Sequence, residues 1–347
     1  MNQNGNPVKP TDTLLPRKAG SKIRIFFRKI SRRGLISQQL GLVGALILLM
    51  IALTILSPFF ATISNMQNVF RQISMTAIIG FCMTLLMIGG GVDLSVGSVM
   101  ALASATTVQL IIKFHWPSWT ALIVGLIAAS AVGYINGLLI TKLKLSALMV
   151  TIAMLTLIRG VAYVVTSYIA VIHSDPLLKW LGISFIGPIP VPVFIAVILF
   201  IVTYFIQNRT VIGRYLYAIG GNEEAARLSG LKVDRIRIIF YVATAFSAGL
   251  AGLILSGRLT SAQPLAGQGM EFDAITAVVI GGTSLSGGRG NVFGTIIGAL
   301  LVGVIANGMI LLGMPYYAQF IVKGAIILLA LWMDEQFRRR FYKIGIS

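Results

Sequence analysis

Long apolar runs separated by short polar joints fill most of this chain. The runs fall at 40–60, 73–90, 94–112, 120–140, 147–169, 193–207, 238–257, 272–287, 291–312 and 316–333. A membrane β-strand would alternate apolar and polar positions over about ten residues, whereas a spanning helix needs roughly 20 apolar residues in succession. The runs here are continuous. The pattern therefore predicts an all-α polytopic membrane protein with about ten transmembrane helices. Two runs, 193–207 and 272–287, are short, so they are either tilted pieces beside irregular backbone or runs whose ends are misplaced.

Composition agrees with this pattern. The chain is 56% hydrophobic and 11% charged, with a mean hydropathy of +0.89, against about 25% charged residues in soluble domains. The net charge of +18 does not point to nucleic acid, because the basic residues sit at run ends and in joints. They set orientation instead. With the N-terminus inside, 22 of the 28 Lys and Arg fall on the cytoplasmic side: nine in 1–39, then Lys142, Lys144, Arg209, Arg214, Arg227, Lys232, Arg235, Arg237, Arg289, Arg338, Arg339, Arg340 and Lys343. Arg71, Lys113, Lys179 and Arg258 fall outside, and Arg159 and Lys323 lie within spans. Both termini are thus expected in the cytoplasm.

The expected organisation is a basic N-terminal tail (1–39), a transmembrane domain (40–335) containing a cytoplasmic segment at 208–237, and a basic C-terminal tail (336–347). The first run is too long for a secretory signal core and has no small-residue cleavage site, so it reads as an uncleaved span. The outer segment 170–192 carries Pro188, Pro190 and Pro192, which favour an extended path that could serve as a lid or docking rim. Trp116, Trp119 and Trp180 lie at outer run ends, as an interfacial belt requires. The single Cys82 excludes an internal disulfide.

Two glycine-rich breaks interrupt the apolar pattern: Ile88-Gly89-Gly90-Gly91-Val92-Asp93-Leu94-Ser95-Val96-Gly97-Ser98, and Ile280 through Asn291. Both read Ile-Gly-Gly and then Leu-Ser-x-Gly. Asn136-Gly137 and Asn307-Gly308 echo one another downstream. This is a weak internal repeat, and transporters built from such halves bind near their broken helices.

Asp93 is the only acid between Asp12 and Asp175. It either caps the helix that follows or contacts a polyol or proton. Asp93, Ser95, Asn136 and Asn307 are the candidate substrate-pathway residues, although a buried Asn also ties helices together. Arg159 and Lys323 either pair with an acid or snorkel to water. Glu271 and Asp273, near Gln263, read as a solvated loop end or as an outer gate or docking contact. No G-x-x-x-x-G-K-[ST] loop and no metal-ligand spacing is present, and the histidines, His115 and His173, fall in outer loops. The chain is expected to be no enzyme, to hold no metal or cofactor, and to hydrolyse no ATP itself.

One polar stretch departs from the rest. Within 208–237, Asn222 followed by Glu223 and Glu224, then Ala225, Ala226 and Arg227, and finally Gly230, reads as a short capped helix. Its small residues, Ala225 and Ala226, suit a knob that enters a groove on a partner.

The blocks GGGVDLSVGS (89–98), GRYLYAIGGNEEAARLSGLKV (213–233) and SAQPLAGQGMEFDAITAVVIGGTSLSGGRG (261–290), with Asn307-Gly308, resemble the ribose-type permeases of bacterial ATP-binding-cassette (ABC) monosaccharide importers. The resemblance covers about 40–335. It implies a multi-pass subunit of the bacterial inner membrane, paired with a second copy. A cytoplasmic ATPase carrying ATP and Mg would grip Asn222, Glu223, Glu224, Ala225, Ala226, Arg227 and Gly230. A periplasmic binding protein would deliver ribose or a similar aldose. Surrounding lipid, and no nucleic acid, completes the expected partners. The competing expectation is an ion-coupled secondary sugar transporter with Asp93 as its coupling site.

Overall fold

The structure, a computed structural model, describes residues 39–345. The expected N-terminal tail therefore lies almost wholly outside the described residues. Among them are thirteen helices, and every apolar run holds one: α1 (Gln39–Leu56), α2 (Ile63–Ile88), α3 (Val96–Ile112), α4 (Ser118–Thr141), α5 (Ala147–Val165), α7 (Val191–Arg209), α10 (Val233–Leu259), α11 (Met270–Ile280), α12 (Val292–Leu311) and α13 (Tyr316–Gly345). Three shorter helices lie between runs: α6 (Pro176–Ile183), α8 (Val211–Gly221) and α9 (Glu223–Leu228).

Seven helices are long and apolar enough to cross a bilayer: α1, α2, α4, α5, α7, α10 and α12. The two short runs resolve differently. The run at 193–207 was cut too tightly, since α7 has 19 residues. The run at 272–287 is not a full span. Its helix α11 has 11 residues, about 16 Å at 1.5 Å per residue, half a hydrocarbon core. Gly281 and Gly282 end it, and Val292 begins the next helix.

The interior is built around α2 and α10. Every residue from Ile73 to Ile88 is buried, because α2 is enclosed by α7, α10, α11 and α12. A helix that is apolar all round and enclosed by protein needs no polar face. α10 packs on α2, α3, α4 and α6. By contrast, α4, α5 and α7 leave one apolar face uncovered, including Leu148, Met149, Ile152, Ile198, Ile201 and Phe205. Lipid is the medium in which such a face is stable.

Segments that the charge count places on one side meet in the structure. On the expected outer side, β1 (Val171–Ile172) pairs antiparallel with β4 (Ser261–Ala262). There too, β2 (Phe185–Ile186) pairs with β3 (Ile189–Pro190), and Arg71 donates to the Ile183 carbonyl at 2.9 Å.

Several expectations are corrected. The segment 170–192 is not simply extended. Asp175 accepts from the Leu178 N–H and Pro176 fills the first turn, so α6 forms. The strands β1, β2 and β3 are extended, Pro188 lies in the turn between β2 and β3, Pro190 ends β3, and Pro192 sits in the first turn of α7. Arg71 lies inside α2 rather than before it. The stretch 208–237 is helical nearly throughout. The residues of the expected C-terminal tail continue α13 to Gly345.

Candidate functional site

The segment 208–237 is built on two short helices, α8 and α9, joined through one residue. Thr210 caps α8 by accepting from the Gly213 N–H at 3.2 Å. Asn222 then leaves helical geometry (φ −160°, ψ 104°), and its Oδ1 accepts from the Ala225 N–H at 2.9 Å. Glu223 and Glu224 fill the first turn of α9, where acids meet the positive end of the helix dipole. Gly230, at φ +83°, ends it, with its N–H on the Arg227 carbonyl and the Leu231 N–H on the Ala226 carbonyl.

The face of α9 differs from the expectation. Ala226 is buried against Ile219 and Val233, so it cannot enter a partner. Glu224, Ala225 and Leu228 face outward, and Leu228 is 84% exposed. Leu228 was missed because a leucine in an apolar sequence draws no notice. It is the one large apolar side chain that α9 exposes.

Arg227 and Arg237 hold the segment to itself. Arg227 bonds Glu223 at 2.9 Å and Asp234 at 2.5 Å, and Arg237 bonds Glu223 at 2.6 Å. Burial alone would raise the Glu223 pKa; the hydrogen bonds and charges of Arg227 and Arg237 outweigh it and hold the carboxyl below its ordinary value. Behind this network a cavity of about 560 Å³ reaches Gly90, Gly91 and Tyr241, with Lys144 on its rim.

The cavity leads to the first break. Gly90 sits at φ +78°, its N–H bonds the Met87 carbonyl, and the Gly91 N–H bonds the Leu86 carbonyl. The second break ends α11 in the same way: Gly282 is at φ +94°, its N–H bonds the Val279 carbonyl, and the Thr283 N–H bonds the Val278 carbonyl. Both are left-handed helix stops that only glycine adopts without strain.

Asp93, Ser95 and Asn136 come together and are wholly buried. Asp93 Oδ1 accepts from the Ser95 N–H at 2.8 Å and from Ser95 Oγ at 2.6 Å. Asn136 donates to Ser95 Oγ at 3.0 Å and to Asp93 Oδ2 at 3.5 Å. Asp93 thus supports the entrance to α3, as the capping reading expects, with Ser95 at the N-cap position.

Asn307 is not part of this group. It exchanges two amide hydrogen bonds with Asn65, at 3.0 and 2.9 Å, tying α12 to α2. The Asn-Gly echo also fails in register: Asn307 is in the first helix after its break, Asn136 in the second.

Glu271 and Asp273 are not at a solvated loop end; both are buried. Lys323 bonds Asp273 at 2.8 Å, which resolves one in-span cation as an ion pair. Arg159 resolves differently, donating to the Pro264 and Ala266 carbonyls at 2.8 Å each. Glu271 Oε1 accepts from the Gly269 N–H, while Oε2 has no hydrogen-bond partner among the described residues. Gln263 donates to Ser261 Oγ and contacts neither acid through a hydrogen bond. His173 is buried as well, its Nε2 3.1 Å from Ser256 Oγ, and burial pushes its pKa down.

Sequence comparison places these features in known company. Residues 65–331 match the family model described as "Branched-chain amino acid transport system / permease component". The chain is 42% identical over 313 residues to the ribose import permease protein RbsC of Escherichia coli K12, covering 89% of this chain and 97% of that one. It is 42% identical over 303 residues to RbsC of Bacillus subtilis 168 (87% and 94%). Against the L-arabinose transport system permease protein AraH of E. coli K12, it is 38% identical over 302 residues (87% and 92%).

Proposed function

Because this chain belongs to the branched-chain amino acid transport system / permease component family, and its curated relatives at 38–42% identity are ribose and L-arabinose permeases, we propose that it carries ribose across the bacterial inner membrane. The chain is the multi-pass permease subunit of an ABC sugar importer, not an enzyme. The family description names amino acids, but RbsC and AraH, aligned over 92–97% of their length, carry pentose names.

The single observation that carries the mechanism is α9: a capped helix with an exposed leucine, on a chain with no phosphate loop of its own. A separate ATPase holding ATP and Mg docks on Glu224, Ala225 and Leu228. A binding protein delivers the sugar to the opposite face, near 166–190. A second copy of the chain completes the path. The ten apolar helices cross or enter the bilayer with both termini in the cytoplasm, and the two glycine breaks mark related halves. The binding protein selects the sugar, so the permease needs only transient contacts; strong ones would slow release.

Ion coupling at Asp93 finds no support beside this. Its carboxylate is occupied by Ser95 and Asn136, and the relatives are permeases of ABC systems. The test is purification in mild detergent followed by reconstitution with the binding protein. The ATPase is expected to co-purify, and Leu228→Asp to release it without reducing membrane insertion. Ribose uptake is expected only with ATP inside the vesicle. Uptake that survives ATP depletion, or an ATPase still bound to L228D, would overturn the reading.

A further inference from the structure

Resting on the reading of α9 as the ATPase contact, we propose that α8 is a strut that transmits movement of α9 to both glycine breaks at once, with Gly220 and Tyr217 as its positioning residues. Four observations converge on α8.

First, the two breaks are joined by a backbone hydrogen bond, from the Gly288 N–H to the Ile88 carbonyl at 2.9 Å. Gly220 lies directly on that bond. A Cβ added there would stand 1.9 Å from the Ile88 oxygen and 2.3 Å from the Gly288 nitrogen. No side chain fits between α8 and the joint.

Second, Leu216, one turn earlier on the same buried face, has its Cδ2 3.0 Å from where a Cβ on Gly89 would stand. α8 therefore touches the first break at both Gly89 and Ile88.

Third, α8 is fastened to the second break by side chains. Tyr217 Oη donates to the Gly290 carbonyl at 2.7 Å. Gln207, from the end of α7, donates to Tyr217 Oη at 2.7 Å and to the same carbonyl at 3.1 Å, and its Oε1 accepts from the Val292 N–H at 3.1 Å. Val292 is the first residue of α12.

Fourth, Asn222 alone separates α8 from α9, and Ala226 of α9 packs on Ile219 of α8. The two short helices share a core, so displacement of α9 carries α8 with it. Packed contacts have discrete arrangements rather than continuous compliance, so a strut touching both breaks moves them together.

The adjacent glycine supplies a matched control. A Cβ on Gly221 would meet nothing within 4 Å. Complexes carrying Gly220→Ala, Gly221→Ala or Tyr217→Phe would be purified with the ATPase, reconstituted with ribose-loaded binding protein, and compared with the parent for ATPase retention, ATP hydrolysis and radiolabelled ribose imported per ATP. Gly220→Ala is expected to retain the ATPase while ribose per ATP falls roughly tenfold, within the span of measured site-to-site couplings. Tyr217→Phe removes one oxygen and preserves packing, so it keeps the test open if Gly220→Ala fails to fold; it is expected to lower the ratio about threefold. Gly221→Ala should stay at the parent ratio.

Parent-like ratios in both Gly220→Ala and Tyr217→Phe would overturn the strut and leave docking on α9 intact. So would uptake and hydrolysis falling together in proportion to folded complex, which is the mark of a merely structural role. Failure of the parent itself to retain the ATPase would instead overturn the docking reading, and the strut with it.

Discussion

The two glycine breaks end their helices identically and then part ways. After Gly90 the chain re-enters helix at Val96, and the crossing is fixed by side chains: Asp93 on Ser95, and Asn136 on both. After Gly282 the chain runs to Val292 before resuming helix, with Gly287, Gly288 and Gly290 all at positive φ. There the neighbours hold the backbone, through Ile88, Gln207 and Tyr217. The first break combines its own Asp93 and Ser95 with Asn136 of α4 and with Tyr241 of α10, which donates to the Val92 carbonyl at 3.2 Å. A break held by other helices follows those helices. The pair differs in what holds its backbone, and the proposed strut α8 bears on both.

Removing the lock from the first break should have the largest effect. Asp93→Ala leaves the Ser95 N–H and the Ser95 hydroxyl without their acceptor in a dry interior, a loss of about 3 kcal/mol. Thermal unfolding in detergent, followed by intrinsic fluorescence, should show a clearly lowered midpoint. An unchanged midpoint would break the comparison, since the first break would then owe nothing to its carboxylate.

The next effect tests what the breaks share. Gly90→Ala and Gly282→Ala each force a side chain into the left-handed region, at about 1–2 kcal/mol apiece. Near Gly90 the only side-chain atom a Cβ would meet is Arg237 Nη2 at 3.5 Å, an ordinary contact, so the cost there is conformational. Similar losses in the two variants would sharpen the claim of a common stop. A large difference would show that the endings are alike in geometry but not in energy.

Gln207→Ala probes the held break. It removes one acceptor and two donated bonds at a site next to the polar segment, for about 1 kcal/mol of stability. Ribose transport should fall further than that loss suggests, whereas Asp93→Ala should lose transport only as it loses folded protein. Uptake assays normalised to folded permease separate the two.

The smallest expected effect lies away from both breaks. His173 is neutral and buried against Ser256, with a pKa below the ordinary value near 6.5. The unfolded chain then binds more protons than the folded one as pH falls through that range, so stability present above about pH 6.5 is lost below it. Midpoints recorded from pH 7.5 to 5.5 should decline slightly. His173→Gln should flatten the slope, and a slope that persists in that variant would assign it to another group.

Much of this was legible from residue order. The capped α9 was written in Asn222, the acids after it, and Gly230, because caps are local and depend on residues within one turn. The breaks were written in repeated glycines for the same reason. What failed was direction. Ala226 and Ala225 are neighbours of one type, yet one is core and the other surface; Glu271 and Asp273 read as a solvated loop end or as an outer gate or docking contact, and both are buried. Leu216, Tyr217 and Gly220 carry no local mark of their contacts.

The sequence by itself determined the class of molecule and the helix stops. These follow from transfer of apolar runs to lipid and from backbone conformation, both properties of short stretches. Tertiary structure alone decided that Lys323 meets Asp273, that Arg159 holds carbonyls 105 and 107 residues away, and that α8 rests on the bond joining the breaks. Such contacts depend on which faces of distant helices are pressed together. In a chain apolar on nearly every face, hydrophobicity does not distinguish a face toward lipid from a face toward protein.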